Sequence, residues 1–295
     1  MCDEFTHEAQ DAAIAAADGA VTRRSFGAMG IAAAVASVTI AERADAATGA
    51  RALSERVVTI ATPDGHADAL FIHPTAGKHP AVILWPDIAG VRDAFKVMGR
   101  RLARAGYAVL VVNQYYRTSP APVMNTLAEF RTPAGMAKLK PMIAALSPAG
   151  TTRDAKAFVA FLDRQRAVDS ARKIGTQGYC MGGPFTIRTA AAEPGRIGAA
   201  ASFHGAALVT PQPDSPHLSI AASKASYLFA IARNDDARAP GDKDVLRASA
   251  LAAGRPAEIE VYPADHGWCA LDAPVYDAVQ AERAWGRLLA LYAKL

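Results

Sequence analysis

Cys180 lies in the stretch Gly178-Tyr179-Cys180-Met181-Gly182-Gly183, a thiol at the bend where an apolar run meets glycines. A nucleophile held on a sharp strand-to-helix turn needs small residues two positions before and two positions after it, so that backbones can approach. Gly178 and Gly182 meet that demand. Serine is the usual occupant of the middle position, but a thiol fits the same space and is the better nucleophile once ionised. Taken alone, the cysteine reads equally well as an inert buried side chain. The rest of the chain decides between the two.

If Cys180 is a nucleophile, an acid and then a histidine should follow it, each just past a later strand. Arg233-Asn234-Asp235-Asp236-Ala237-Arg238-Ala239-Pro240 follows an expected strand at Ser226 to Ala232, and Pro263-Ala264-Asp265-His266-Gly267-Trp268 follows one at Ala257 to Tyr262. Asp236 and His266 are the candidate acid and base, with Asp235 competing for the acid's place. Each also has an ordinary reading, a helix cap or solvated turn for the aspartates and a surface turn for the histidine. Three chemically matched residues in order, each after a different strand, favour function over those readings. His204, in Ser202-Phe203-His204-Gly205, comes before the acid and reads as a pocket-wall residue instead of a base.

These residues need a scaffold, and the pattern around them supplies one. Arg56 to Ala61 and Ala67 to His73 read as a hairpin about Pro63-Asp64-Gly65, at the edge of a sheet. Ala81 to Trp85 and Tyr107 to Val112 are apolar runs suited to strands buried on both faces, with an amphipathic helix between them that Asp93 caps and Gly106 ends. Residues 114 to 150 carry Pro120, Pro122, Pro133, Pro141 and Pro148 and read as a loop with short helices, a lid or pocket wall over the sheet. Thr152 to Gln165 reads as a helix, Lys173 to Gln177 as the strand into Cys180, and Phe185 to Ala192 as the helix out of it. A strand unit begins at Arg196 to Ser202, and helices follow at Asp242 to Ala253 and Tyr276 to Lys294. Alternating strands and helices without a repeat or linker imply one α/β domain, a mostly parallel central sheet flanked by helices on both faces. Ligands then bind at the strands' carboxyl ends.

Composition narrows the function classes. At 295 residues, 51% hydrophobic and 20% charged, the chain can bury a sizeable core. Cys2, Cys180 and Cys269 are too few for a disulfide framework and lack the paired spacing of a zinc site, so no metal and no cofactor is expected. The formal charge of +4 conceals an asymmetry: residues 1–46 hold seven acids against three arginines, a balance of −4, which leaves +8 on the remainder. That surplus is spread without basic runs, which argues against nucleic acid as a partner.

Thr22-Arg23-Arg24-Ser25-Phe26, the apolar run Met29 to Ile40 and Ala44-Asp45-Ala46 resemble a twin-arginine export signal with its cleavage site. The expected division is a signal over residues 1–46 and a single domain over 47–295, working in the periplasm or secreted. The acidic stretch before the arginines departs from the usual positive n-region, and an ordinary amphipathic N-terminal helix is the alternative. The apolar run is shorter than the roughly 20 residues needed to span a bilayer, so no permanent membrane anchor is expected. In an oxidising compartment a Cys180 to Cys269 disulfide could form and would silence the thiol.

The elbow, the spacing from Asp236 to Pro240 and Asp265-His266-Gly267 together resemble the dienelactone hydrolase family of α/β-hydrolases, over roughly residues 55 to 293. The resemblance implies an α/β-hydrolase fold with Cys180 as nucleophile, His266 as general base and Asp236 orienting the imidazole, the proline spacing favouring Asp236 over Asp235. A thiol of ordinary pKa, about 8.5, needs such a base to lose its proton at neutral pH. The backbone N–H groups of Met181 and Ile88 would hold the developing oxyanion. Asp87 stands where the family commonly has a glutamate that holds the resting thiol. Tyr115 and Arg117 fall where it has a tyrosine and an arginine at the pocket mouth, and Trp268 follows the histidine toward Ala270, where the type enzyme has an arginine. The expected function is cofactor-independent hydrolysis of small esters or lactones through a thioester, by a monomer or weak homodimer. Thioesters and amides remain open as substrates. The rival is a periplasmic small-molecule binding or sensing protein on the same scaffold with an inactive thiol.

Overall fold

Ala81–Trp85 (β3) and Ala108–Val112 (β4) are buried at every residue, as continuous apolar runs require. Their side chains alternate between two cores: Ala81, Ile83 and Trp85 with Ala108, Leu110 and Val112 on one face, Val82 and Leu84 with Val109 and Val111 on the other. The computed structural model describes residues 51–295. The export signal expected in residues 1–46 lies outside the described residues. Among the described residues no helix is long and apolar enough to cross a membrane.

Leu53–Thr62 (β1) and Gly65–Pro74 (β2) form the expected hairpin, with Gly65 at φ 134° in its turn. The eight-stranded sheet runs β1-β2-β4-β3-β5-β6-β7-β8, where Ile174–Tyr179 is β5, Ile197–Phe203 is β6, Ser226–Ala232 is β7 and Ala257–Tyr262 is β8. Every pairing from β4 to β8 is parallel, and the hairpin joins β4 antiparallel. From β3 the chain goes to β4 on one side, then returns to β5 on the other. The order therefore reverses between β3 and β5, where α/β sheets open a crevice for ligands.

Both faces are covered. Asp93–Arg104 (α1) brings Phe95 and Leu102, and Ala278–Tyr292 (α7) brings Leu288 and Tyr292, to one face. Pro133–Ala144 (α2), Pro148–Asp163 (α3), Gly182–Ala192 (α4) and Asp242–Ala252 (α6) contribute Leu139, Phe158, Ile187 and Leu246 to the other. Between β7 and α6 lies the short helix Arg233–Arg238 (α5). Asp93 opens α1 but does not cap it: Arg92 holds the cap position, and no side chain bonds there. The proline-rich segment is more ordered than its composition suggests. Thr126 and Glu129 form a capping box on the turn Leu127–Arg131, and Val123, Met124, Leu127 and Phe130 pack in the same core as Ile88 and Met181. It is a packed wall beside the loop after β3.

Candidate active site

The bend at Cys180 is built by glycines. Cys180 has φ 50°, a left-handed conformation that strains a residue with a side chain. Surrounding bonds hold it there: its N–H donates to the Phe203 carbonyl at 3.1 Å, and its own carbonyl accepts from Gly183 and Ala206, both at 3.0 Å. A Cβ on Gly178 would stand 2.1 Å from the Gly182 carbonyl oxygen, and one on Gly182 would stand 2.4 Å from that of Trp85. Both contacts are impossible for a real side chain. Gly182 thus lets the start of α4 press against the end of β3, which brings Met181 and Ile88, the residues after β5 and β3, to the point where the strand order reverses.

His266 follows β8 and is held by the loop after β7. Its N–H donates to Asn234 Oδ1 at 2.9 Å, and its Nδ1 meets Asp235 Oδ2 at 2.6 Å. Arg233 ties the same two loops, pairing with Asp265 at 2.8 Å and donating its N–H to the Ala264 carbonyl at 3.0 Å. The Cys180 thiol is the other polar neighbour of the buried imidazole. Burial opposes a charge on His266, but the Cys180 sulfur in its thiolate form and the Asp235 carboxylate outweigh it and hold the imidazolium well above its ordinary pKa of 6.5.

Asp236, the expected orienting acid, is instead paired with Lys243 at 2.6 Å. Helix geometry separates the two aspartates. Asp235 and Asp236 are neighbours in α5, so their side chains project about 100° apart, and the one that meets His266 is Asp235.

Asp87 does not hold the thiol. It is buried, and Arg92 takes it bidentately at 2.7 and 2.9 Å. Tyr115 is buried as well; its hydroxyl donates to the Ile88 carbonyl at 2.8 Å and contacts Met181 Sδ at 3.6 Å. It braces the two residues whose N–H groups are the candidate oxyanion donors. Neither of those N–H groups has a hydrogen-bond partner among the described residues, although both residues are buried. Arg117 is engaged elsewhere, by Asp64 at 2.6 Å and Asp154 at 2.8 Å, fastening the hairpin turn to α3.

His204 and Trp268 pack behind the base. Both are buried, the His204 ring sits edge-on to His266 at 5.0 Å and to Trp268 at 5.1 Å, and Trp268 stacks on Tyr262. Burial first, and then the neighbouring His266, push the His204 pKa well below 6.5, so it packs as a neutral ring. Both thiols among the described residues are free, and they lie on different faces of the sheet: Cys180 against the core that contains Met181, Cys269 inside the core that contains Trp268. Burial pushes the Cys269 thiol up, which leaves it protonated and unreactive. Among the described residues no group of histidine, cysteine and acidic side chains could hold a metal ion.

Asn234, Arg92 and Asp272 have no signature in sequence. Asn234 acts by a bond to a residue 32 positions away, and the Arg92–Asp272 pair joins residues 180 apart.

The profile of the dienelactone hydrolase family matches residues 67–295 of this chain. A protein of Methylorubrum extorquens provisionally named a carboxymethylenebutenolidase is 28% identical over 263 residues, 86% of each chain. One of Salmonella typhi with the same provisional name is 26% identical over 249 residues, 82% of this chain and 88% of that one. Among solved structures, a provisionally assigned dienelactone hydrolase from Klebsiella pneumoniae superposes with a TM-score of 0.71 at 24% identity, covering 83% of this chain and all of its own. A dienelactone hydrolase-like promiscuous phosphotriesterase from metagenomic libraries gives 0.67 at 20% identity, covering 83% of this chain and 99% of its own. These two likenesses concern the fold.

Proposed function

Because this chain belongs to the dienelactone hydrolase family and is an ester or lactone hydrolase of that type, we propose that it cleaves small esters or lactones through a thioester on Cys180. The observation that carries the reading is the imidazole of His266, set between the Asp235 carboxylate and the Cys180 thiol. His266 holds the proton drawn from the thiol, and the sulfur so freed attacks the substrate carbonyl. The N–H groups of Ile88 and Met181 receive the oxyanion. As the tetrahedral intermediate collapses, the C–O bond breaks and the imidazolium returns the proton to the leaving alkoxide. Water then gives a proton to His266 and attacks the thioester, releasing the acid and restoring the thiol. Asp235 keeps the ring in one tautomer throughout and offsets its transient charge.

This chemistry needs no cofactor. Thioesters and amides would enter the same cycle, with a different leaving group taking the proton. The twin-arginine-like pattern of residues 1–46 supports export, and we assign the enzyme to the periplasm or outside the cell on that pattern. The binding-protein reading, which needs an idle thiol, is disfavoured by the strained backbone of Cys180 and by the free thiol beside a buried histidine.

Replacing Cys180 with alanine should abolish hydrolysis of an activated aryl ester such as p-nitrophenyl acetate while the circular dichroism spectrum stays that of the native fold. Full activity in Cys180→Ala would reject the thioester route.

A further inference from the structure

Arg92 is the most completely bonded side chain near the site, and the reaction described above does not use it. Its side chain is fully buried. A guanidinium has five N–H donors, and here all five are engaged. Nη1 donates to Asp87 Oδ1 at 2.7 Å and to the Gly90 carbonyl at 3.3 Å. Nη2 donates to Asp87 Oδ2 at 2.9 Å and to Asp272 Oδ1 at 2.7 Å, and Nε donates to Asp272 Oδ2 at 2.7 Å. The plane also lies over the Phe95 ring, 4.9 Å from its centroid.

Its partners are not scattered. Asp87 and Gly90 bracket Ile88 in the loop after β3, and Asp87 Oδ1 also accepts the Ala89 N–H at 3.0 Å. Gln114 donates to the Asp87 carbonyl at 2.7 Å. Asp272 lies beyond His266 in the loop after β8, and its Oδ2 also accepts the Leu127 N–H of the proline-rich wall at 2.9 Å. His266 itself does not depend on this arrangement, since Asp235, Asn234 and the Arg233–Asp265 pair hold it from the β7 side.

We propose that Arg92 is a positioning residue for the Ile88 oxyanion donor: its guanidinium fastens the Asp87–Gly90 loop to Asp272 and so fixes where the Ile88 N–H stands relative to the thiol. The assignment rests on the hydrolase reading above. Only a planar, five-donor fork can face two carboxylates bidentately at once, so lysine does not substitute for it. A charge with no role beyond stability would be a poor choice at this depth, because removing it from water costs much of what its ion pairs return. A donor that must not move by even an ångström gives a reason for it.

The test separates the oxyanion loop from the thiol. In the full chain, Arg92→Lys and Asp272→Asn are compared with the parent by steady-state hydrolysis of p-nitrophenyl acetate and by alkylation of Cys180 with iodoacetamide across pH. Alkylation displaces iodide at a saturated carbon, forms the S–C bond from the thiolate, and needs no oxyanion donor. Arg92→Lys should lower kcat about 100-fold, the effect of losing one such donor, with KM within about threefold, while the alkylation rate and its pH profile stay within about twofold. Asp272→Asn, which leaves the Asp87 pair intact, should lower kcat about tenfold in the same pattern, and it carries the test if Arg92→Lys fails to fold. Unchanged kcat in either folded variant overturns the proposal. So does a parallel loss of hydrolysis and alkylation, which would mean general disruption. Cys180→Ala distinguishes the two levels: if it is inactive while Arg92→Lys is unaffected, only this proposal falls; if it keeps full activity, the hydrolase mechanism falls first.

Discussion

Two buried polar clusters stand at the carboxyl ends of the strands, and they are built on opposite principles. Around Arg92 bonding is saturated: every donor of the guanidinium has an acceptor, and both carboxylates are engaged on both oxygens. Around Cys180 the fold leaves capacity unused. The Ile88 and Met181 N–H groups have no acceptor among the described residues, the Cys180 backbone is strained, and the imidazole is poised between an acid and a thiol. A saturated cluster has nothing left to offer a substrate and serves to hold loops still. An unsaturated one is costly to bury unless something else completes it, and a substrate oxyanion would do so.

If that contrast is right, the largest effect outside the thiol itself belongs to the acid on His266. Asp235→Asn should lower kcat by about 100-fold or more through loss of the fixed tautomer and of the offsetting charge. Asp236→Asn, which removes only a pairing with Lys243, should stay within about twofold of the parent. Hydrolysis rates of the two purified variants check this, and the reverse ranking would return the orienting role to Asp236.

That choice marks the limit of what the sequence could show. Strand bounds at Ser226–Ala232 and Ala257–Tyr262 lie where the pattern puts them: the first is a short apolar run inside the sheet, and the second, at the sheet edge, alternates glutamates with apolar residues and stops before Pro263. The elbow is legible in the spacing of its glycines, and His266 only through its order after the thiol and the acid, since a lone histidine past a strand reads as well as a surface turn. Asp235 and Asp236 differ by one residue in a six-residue helix, and a pattern that tolerates such a shift cannot choose between them. His204 reads as pocket wall because it follows a strand, and Tyr115 and Trp268 read as substrate contacts by the family resemblance, yet whether a side chain there points into the crevice or beneath it depends on a single turn of backbone. His204 at φ 38° is such a turn. Arg92 was invisible for another reason. It is one of 32 basic residues, and only tertiary structure shows that Asp87, five residues away, and Asp272, 180 residues away, both close on it.

The strain on the unsaturated side can be tested through its glycines. Gly178→Ala forces a Cβ to within 2.1 Å of a main-chain oxygen, so the turn must open. A loss of about 2 kcal/mol or more in urea-unfolding stability is expected, of the order seen for overpacked cores, together with loss of activity. Gly195, where an added Cβ meets nothing within 4 Å, is the control, and Gly195→Ala should change stability by no more than about 0.5 kcal/mol. Equal behaviour of the two variants would remove the steric account of the elbow.

A third ionic cluster sharpens the comparison because it is bonded like the Arg92 clamp but lies at the surface. Asp64, in the hairpin turn, accepts from Arg153 and Arg117, and these bonds lower its pKa from 3.8 to about 2. The sign follows from linkage: a carboxyl with a depressed folded pKa stabilises the fold above its unfolded value of 3.8, and that contribution disappears as pH falls toward about 2. Asp64→Asn removes the titrating group, so its stability should decline less steeply than the parent's between those two pH values. The difference should be small, since solvent and salt screen exposed pairs, and it should shrink further at high ionic strength, whereas the kcat defect of Arg92→Lys should not respond to salt at all. Parallel acid profiles for Asp64→Asn and the parent would deny the surface cluster even this role. A salt-sensitive Arg92→Lys defect would place the clamp in the same class as the surface pairs and leave the Ile88 loop without its proposed anchor.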